Sequence, residues 1–436
     1  MPSRAGTKRL SRNTSKETKW LSRGLLEACL GFIHDTKDDE ALRVAAYEFT
    51  YPPVLQALKE AIDRGVDVRI VYGSDKANDK AIDAAELPRK KGNKQILFER
   101  TNAKIPHNKF FVRLVDGKPK VVWTGSTNFT PSGFLGQTNV GHVVVDDDLA
   151  EDYLDYWKLL KDDPERKDGR KAVMKLTPDP KTTAKADTAI RVFSPRSSAD
   201  MRKWYAQRIV NARNCVLFTG AFGIDPVLLE ALGTEGPAMR FVLLERPPSK
   251  EIKDAVKANK GDIQLSHGAV LGKRNGRDEE GKSTKKLVPI PNFKIEEWFL
   301  EEDLERKSGE GFVFFVHTKF LLIDPLSDDP LLCTGSANFS DESLLYNDEN
   351  MLLIRGDTKT ADIYMTEFDR IFRHFYFRDI ANRDPSDEAK FLDEKDAWWG
   401  DYFKPTKVKS RRREMFFAKP KGTWTDEAAK DKSPFK

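Results

Sequence analysis

A segment near residue 107 of this 436-residue chain recurs near residue 317, and that repetition constrains the fold more than any other feature. A shift of 210 positions (317 minus 107) lays His107, Lys109, Phe110, Thr124, Gly125, Ser126, Asn128 and Phe129 on His317, Lys319, Phe320, Thr334, Gly335, Ser336, Asn338 and Phe339. These are 8 identities in the 24 columns from 107 to 130, where unrelated segments would share about one, at a chance rate of roughly one in twenty. Upstream, Phe49 and Pro53-Val54-Leu55 fall on Phe222 and Pro226-Val227-Leu228 at a shift of 173 (226 minus 53), so the second copy holds 37 extra residues (210 minus 173). The chain exceeds one ordinary hydrophobic core, and two copies of a unit of about 200 residues account for its length.

Each copy reads as alternating α and β. In the first, Leu42 to Phe49 forms a buried strand, Pro53 opens a helix that closes at Gly65, and Val66 to Tyr72 is the next strand. The second repeats this with Cys215 to Phe222, a short helix from Pro226 to about Leu232, and Arg240 to Leu244. The expected class is α/β: two similar lobes, each a mixed sheet flanked by helices, related by a pseudo-twofold axis. Residues 1–163 form the first lobe and 164–188, rich in Lys, Asp, Thr and Pro, a linker; the second lobe is 189–403, with an insertion at 250–311. Within the insertion a charged stretch, Lys273 to Lys286, precedes the more apolar Val288 to Leu300 with Trp298 and Phe299, which reads as a loop over the site. The tail, 404–436, has eight Lys or Arg against one Glu between Lys404 and Lys421 and reads as a solvated segment, with contact to an anionic surface as the alternative. Trp398, Trp399, Tyr402 and Phe403 read as packing rather than as a base-stacking platform.

Composition narrows the class. With 39% hydrophobic and 33% charged residues, the chain is neither collagen-like nor wholly disordered. Its 74 Lys and Arg against 69 Asp and Glu leave a net +5, too diffuse to identify a partner. No apolar run approaches the roughly 18 residues that span a bilayer, and Met1 to Trp20 lacks an apolar signal core, so the expectation is a cytoplasmic chain. Cys29, Cys215 and Cys333 are few and far apart, which suits reduced core thiols and neither zinc nor a redox pair.

The repeated segment carries the chemistry. His and Lys two apart on a strand share one face, so both reach one pocket. Lysine suits a phosphate oxygen, and Ser and Asn beside a Gly turn add donors, which makes Lys109, Ser126 and Asn128 with Lys319, Ser336 and Asn338 a phosphate cradle. The imidazoles of His107 and His317 add groups able to attack phosphorus or transfer a proton near neutral pH. A single His-x-Lys would be ordinary strand decoration, but two at one fixed spacing are not. His34, His142, His267 and His374 have no such context and read as structural.

His317-Thr318-Lys319 with Asp324, followed by Gly335-Ser336-Ala337-Asn338, resembles the phospholipase D superfamily signature of His, x, Lys, four residues and Asp. The first copy, His107-Asn108-Lys109 with Gly125-Ser126-Thr127-Asn128, is similar except that Leu114 stands where the family has Asp; Asp116, two positions on, is the candidate substitute. The resemblance covers roughly residues 40 to 380. It implies metal-free, cofactor-free double displacement, in which one His attacks phosphorus, the other protonates the leaving alcohol, and a downstream carboxylate or amide orients each ring. By position, Glu349 would serve His317, and Asn139 would serve His107. On that pairing Glu349 keeps His317 charged as the proton donor and His107 is the nucleophile. The substrate class implied is a phospholipid head group, with a nucleic-acid phosphodiester and an inactive phosphate-binding protein as alternatives. Both motifs lie in one chain, which points to a monomeric active site.

Overall fold

The computed structural model describes residues 15–179, 188–259, 262–269, 273–277, 283–289, 315–383 and 398–416. In the first lobe the sequence runs β1 (Ala41–Ala46), α1 (Pro52–Arg64), β2 (Asp67–Gly73), α2 (Lys76–Ala84), β3 (Leu97–Arg100), β4 (Lys109–Val115), β5 (Lys118–Gly125), β6 (Gly141–Val145) and α3 (Asp147–Lys161). After α4 (Arg166–Leu176) the second lobe has β7 (Thr188–Ser194), β8 (Cys215–Gly220), α5 (Pro226–Gly233), β9 (Met239–Leu244), α6 (Lys250–Ala258), β10 (Ile263–His267), a hairpin of β11 (Lys273–Arg277) and β12 (Ser283–Pro289), then β13 (Phe320–Ile323), β14 (Leu331–Gly335), β15 (Glu349–Arg355), α7 (Thr358–Arg383) and α8 (Val408–Phe416).

The first sheet is ordered β3-β2-β1-β4-β5-β6 and the second β10-β9-β8-β13-β14-β15-β7. In both, the first three strands are parallel and the remainder antiparallel, so the sheets are mixed and the fold is the two-lobed α/β class read from the repeat. Crossover helices join the parallel strands, and the antiparallel strands return through short hairpins. The parallel strands β1 and β8 are almost wholly buried, as strands covered on both faces must be.

The ladders correct the upstream register. Ala45 pairs with Phe110 and Thr219 with Phe320, so the equivalent strands are offset by 174 (219 minus 45), not 173. Pro52 therefore matches Pro226, and the buried Val54, Ala57 and Leu58 match the buried Leu228, Ala231 and Leu232. The four identities at 173 were an accident of similar helix starts. At the same offset α2 falls on α6, so Lys250–Ala258 belongs to the repeated unit and the extra residues of the second copy follow His267. Trp298 and Phe299, read as part of a loop over the site, lie outside the described residues.

Within the segment 164–188, read as a linker, α4 forms and buries Val173. In the described part of the basic tail Lys404, Lys407 and Lys409 are exposed, while α8 packs on the second lobe, with Ser410 buried, Arg411 paired with Asp262 and donating to the Pro237 carbonyl, and the Arg412 guanidinium 6.0 Å from the Phe241 ring. Arg411 and Arg412 thus have partners within the fold. Trp399 and Phe403 meet edge to face at 5.8 Å, yet remain 52% and 41% exposed, so they are only partly packed. Among the described residues no helix is long and apolar enough to cross a membrane.

The lobes meet on α3. Asp146 caps it, accepting from Leu149 N at 2.8 Å, and acidic residues in its first turn and lysines in its last complement the helix dipole. Its Tyr153, Tyr156 and Trp157 are buried between the sheets: Tyr156 stacks on Phe193 of β7 at 4.2 Å, and Trp157 Nε1 donates to the Val44 carbonyl of β1 at 2.8 Å.

Candidate active site

Both His-x-Lys segments open the central antiparallel strands, β4 and β13, where the lobes face each other. Alternation holds: Asn108, between His107 and Lys109, turns to the other side, donating to Tyr156 Oη (3.0 Å) and accepting from Asn350 Nδ2 (2.9 Å). His107 and His317 are 8% and 4% exposed, and Lys109 and Lys319 are fully buried. Lys319 Nζ donates to the His317 carbonyl at 2.7 Å, and Lys109 Nζ donates to the carbonyl of His107. A lysine ammonium has three N–H groups, so each retains donors for an anion.

Each imidazole is oriented by the opposite lobe, which reverses the pairing expected from position. His107 Nδ1 lies 2.8 Å from Glu349 Oε2, and His317 Nδ1 lies 2.9 Å from Asn139 Oδ1. Downstream position in one copy does not determine the partner because β6 and β15 begin beside the other lobe's histidine. The backbone shows the same exchange: Thr138 N donates to Phe315 O at 2.7 Å, and Asp348 N donates to Ile105 O at 3.0 Å. The Asn139 amide is fixed in turn by donating Nδ2 to Gly133 O and Gln137 Oε1, which leaves Oδ1 for the ring.

The motif serines were expected on the phosphate, but their hydroxyl protons are spent elsewhere. Ser336 Oγ donates to Glu349 Oε2 at 2.7 Å and accepts from Asn350 N; Ser126 Oγ donates to Asn139 Oδ1 at 2.8 Å and accepts from Val140 N. Both therefore hold the group that orients a histidine. The preceding glycines permit this closeness, since a Cβ on Gly125 would sit 2.1 Å from the Val140 carbonyl oxygen, and one on Gly335 2.2 Å from that of Asn350. Asn128 uses an amide N–H on Glu48 (2.6 Å), a residue no sequence signal marked. Asn338 is half-buried at the equivalent place.

Asp324 is structural. Its carboxylate accepts the backbone N–H groups of Arg213, Asn214 and Cys215 at the start of β8, at 2.7 to 3.1 Å. Asp116 does not substitute for it, because the residue sits at φ +50° in the exposed β4–β5 turn beside Gly117. In the first lobe Glu40 takes the equivalent position ahead of β1, accepting from Lys37 N and from Arg113.

Electrostatics follow from burial. Desolvation lowers His107 to about 4, with Glu349 pulling upward and the two lysines downward, and lowers Lys109 to about 7. His317 and Lys319 also fall well below their ordinary values through burial, reinforced by the neighbouring cations. Burial would raise Glu349, but His107, Lys109 and Ser336 outweigh it and hold the carboxyl below its usual range. Two buried lysines and two imidazoles so close suit a bound anion. Among the described residues no cluster of His, Cys, Asp or Glu could hold a metal.

A family model described as the phospholipase D-like domain of cardiolipin synthase matches residues 31–160 and 276–372, just over half of the chain. Among solved structures, phosphatidylserine synthase from Haemophilus influenzae Rd KW20 aligns over 81% of this chain and 85% of its own, with TM-score 0.50 and 10% identity, and shares the fold. Polyphosphate kinase from Porphyromonas gingivalis aligns over 80% of this chain with TM-score 0.45 and 11% identity; the chain spans about half of that protein's length, 47%. The phospholipase D family member Nuc from Salmonella typhimurium aligns over 44% of this chain and 95% of its own, with TM-score 0.27 and 14% identity. No curated protein sequence matches. With paired His-x-Lys segments on two equivalent sheets and the family model covering both, the chain belongs to the phospholipase D-like domain family of cardiolipin synthase, within the phospholipase D superfamily of phosphodiesterases and phosphotransferases.

Proposed function

We propose that the chain cleaves phospholipid head groups as a phosphodiester hydrolase working through a phosphohistidine on His107. In the first step His107 Nε2 bonds phosphorus, the ester P–O bond breaks, and His317 gives its proton to the departing alcohol. In the second, water attacks phosphorus, its proton passes to His317, and the N–P bond breaks. The observation that carries this reading is the His107–Glu349 hydrogen bond: it commits Nδ1, frees Nε2, and stabilises the positive charge the ring gains on bonding phosphorus. Lys109 and Lys319 would draw the phosphoryl oxygens as charge builds there, a task a divalent metal performs in other phosphodiesterases.

Parallel assays on phosphatidylcholine vesicles, single-stranded DNA, duplex DNA and RNA, all in EDTA, test it. Head-group release from the vesicles supports the reading. Cleavage of nucleic acid alone replaces it with a nuclease, no turnover on any arm leaves a phosphate-binding protein, and activity lost in EDTA but restored by magnesium contradicts the metal-free chemistry.

A second expectation concerns pH. Attack needs His107 neutral, and the cradle needs Lys109 charged. The departing alcohol also needs His317 charged, so with His107 near 4 kcat/KM should rise with pH through about 4 and then fall, first as His317, lowered by burial and the neighbouring cations, loses its proton, and last as Lys109 does near 7. A profile flat from pH 6 to 9 would contradict that assignment of protons.

A further inference from the structure

A buried guanidinium in the second lobe stands where the first lobe has an aliphatic side chain. At the 174-residue strand offset Cys215 lies on Ala41; their parallel partners are Met239 and Asp67, so Arg240 of β9 corresponds to Val68 of β2. Val68 is 2% exposed and Arg240 1%. The fold therefore accepts an apolar residue at this point of the sheet. An arginine there keeps its proton, and its buried charge needs a counter-charge.

Among the described residues none is in place. Arg240 Nε and Nη1 are buried without a hydrogen-bond partner. Asp262, just ahead of β10, accepts from Arg240 N through its backbone carbonyl at 2.9 Å, but its carboxylate is taken by Arg411 of α8. Burial lowers the pKa of Arg240, Asp262 pulls it up and Arg411 presses it down, so two guanidinium groups share one carboxylate. A route inward exists at Gly236, where an added Cβ would come 3.2 Å from Arg240 Nη2; the absent side chain leaves the guanidinium behind a turn whose Thr234, Glu235 and Pro237 are exposed. The place is remote from the cleft. Arg240 lies beside Val216 at the start of β9, whereas Leu244, at the other end, lies beside Gly220 on the side of His317, about 13 Å along the strand.

We propose that Arg240 and Arg411 form a second anion site, separate from the catalytic cleft, which takes a small oxyanion, phosphate or carboxylate, and thereby fastens α8 to the second lobe. A guanidinium presents its N–H groups as a planar fork that matches the oxygens of such an anion, and one anion offsets the charge that Asp262 leaves uncompensated. Arg411 gives one N–H to Asp262 and one to the Pro237 carbonyl, so three of its five remain. Because Arg240 belongs to the sheet and Arg411 to the helix, an anion between them adds a polar tie to the apolar one that Phe416 makes on Phe241 at 6.0 Å. The site needs no turnover and stands or falls independently of the phosphodiester reading.

Hydrogen exchange of the full chain, read by mass spectrometry in sodium phosphate, sodium acetate and sodium chloride at equal ionic strength, tests this. In wild type the amides of α8 should exchange more slowly in phosphate or acetate than in chloride, by about tenfold at ten times the dissociation constant. Slowing in phosphate alone makes the site one for phosphate groups, and slowing in both makes it a general oxyanion site. Arg240→Met should abolish the anion effect on α8 while any effect of phosphate on the His107 and His317 segments persists, which separates this site from the cleft. In chloride the same variant should unfold at no lower temperature than wild type, because an apolar side chain replaces an uncompensated buried charge. Exchange of α8 that is the same in all three salts, or an anion effect that survives Arg240→Met, overturns the site. Should Arg240→Met fail to fold, Arg240→Lys, which keeps the charge without the fork, should retain only part of the effect, and an undiminished effect overturns the site equally.

Discussion

His107→Ala is expected to lose phosphohistidine formation altogether and to lower turnover by roughly four orders of magnitude. His317→Ala should be as slow on a substrate with an alkyl leaving group. It should nevertheless still form the covalent intermediate from a p-nitrophenyl diester, whose leaving group needs no proton. Rapid-quench labelling with a radiolabelled diester, followed by identification of the modified histidine, separates the two. Label on His317 in the wild-type protein would overturn the assignment.

The reason for choosing His107 is the reverse of the one that sequence position suggests. Read in order, Glu349 follows His317 and would keep that ring charged for proton donation. In the structure Glu349 reaches across to His107, and Asn139 reaches across to His317. A carboxylate behind His107 stabilises the charge that appears only as the N–P bond forms, and so accelerates attack rather than tightening ground-state binding. An amide behind His317 stabilises imidazolium less, which makes that ring the readier proton donor once charged. Glu349→Gln, which can still accept from Nδ1 but has no charge, should therefore slow intermediate formation by roughly two orders of magnitude. Asn139→Asp should instead raise the pKa of His317 and extend its charged form to higher pH.

What the sequence disclosed and what it hid divide along a physical line. Local pattern was legible: His107-x-Lys109 and His317-x-Lys319, the Gly-Ser-x-Asn turns, and the strand-helix-strand run from Ala41 to Gly73 all follow from periodicity within a few residues. Cross-lobe contacts were not, because nothing within a copy records what the other copy presents to it. That hid the exchanged partners of the histidines and the role of Asn350, whose side chain is bonded by Thr124, Tyr153 and Asn108 of the first lobe. The serines misled for a related reason, since a hydroxyl near a phosphate site is as useful holding Glu349 or Asn139 as touching substrate. The register error had a different cause: helices that begin with Pro-Val-Leu and Pro-Pro-Val-Leu align best one residue away from the ladder that sets the strands.

Arg100→Ala should be the most destabilising single change away from the histidines. Arg100 Nε donates to Asp348 Oδ2 at 2.8 Å across the lobe junction, with Arg100 4% and Asp348 1% exposed, and the same guanidinium also holds Asp163 beside the linker. Removing the arginine leaves the Asp348 carboxylate charged and unpaired in the interior, which typically costs about 3–5 kcal/mol, well beyond the value of a surface pair. The substitution should therefore lower the midpoint of thermal unfolding by many degrees. Arg100→Ala with Asp348→Asn should recover much of the loss, because the neutral amide no longer needs a counter-charge. A double variant as unstable as Arg100→Ala alone would mean that the arginine acts through Asp163 and the linker instead. Activity gives a separate readout: Asp348 immediately precedes Glu349 on β15, so loosening it should slow intermediate formation on His107 more than it weakens phosphate binding.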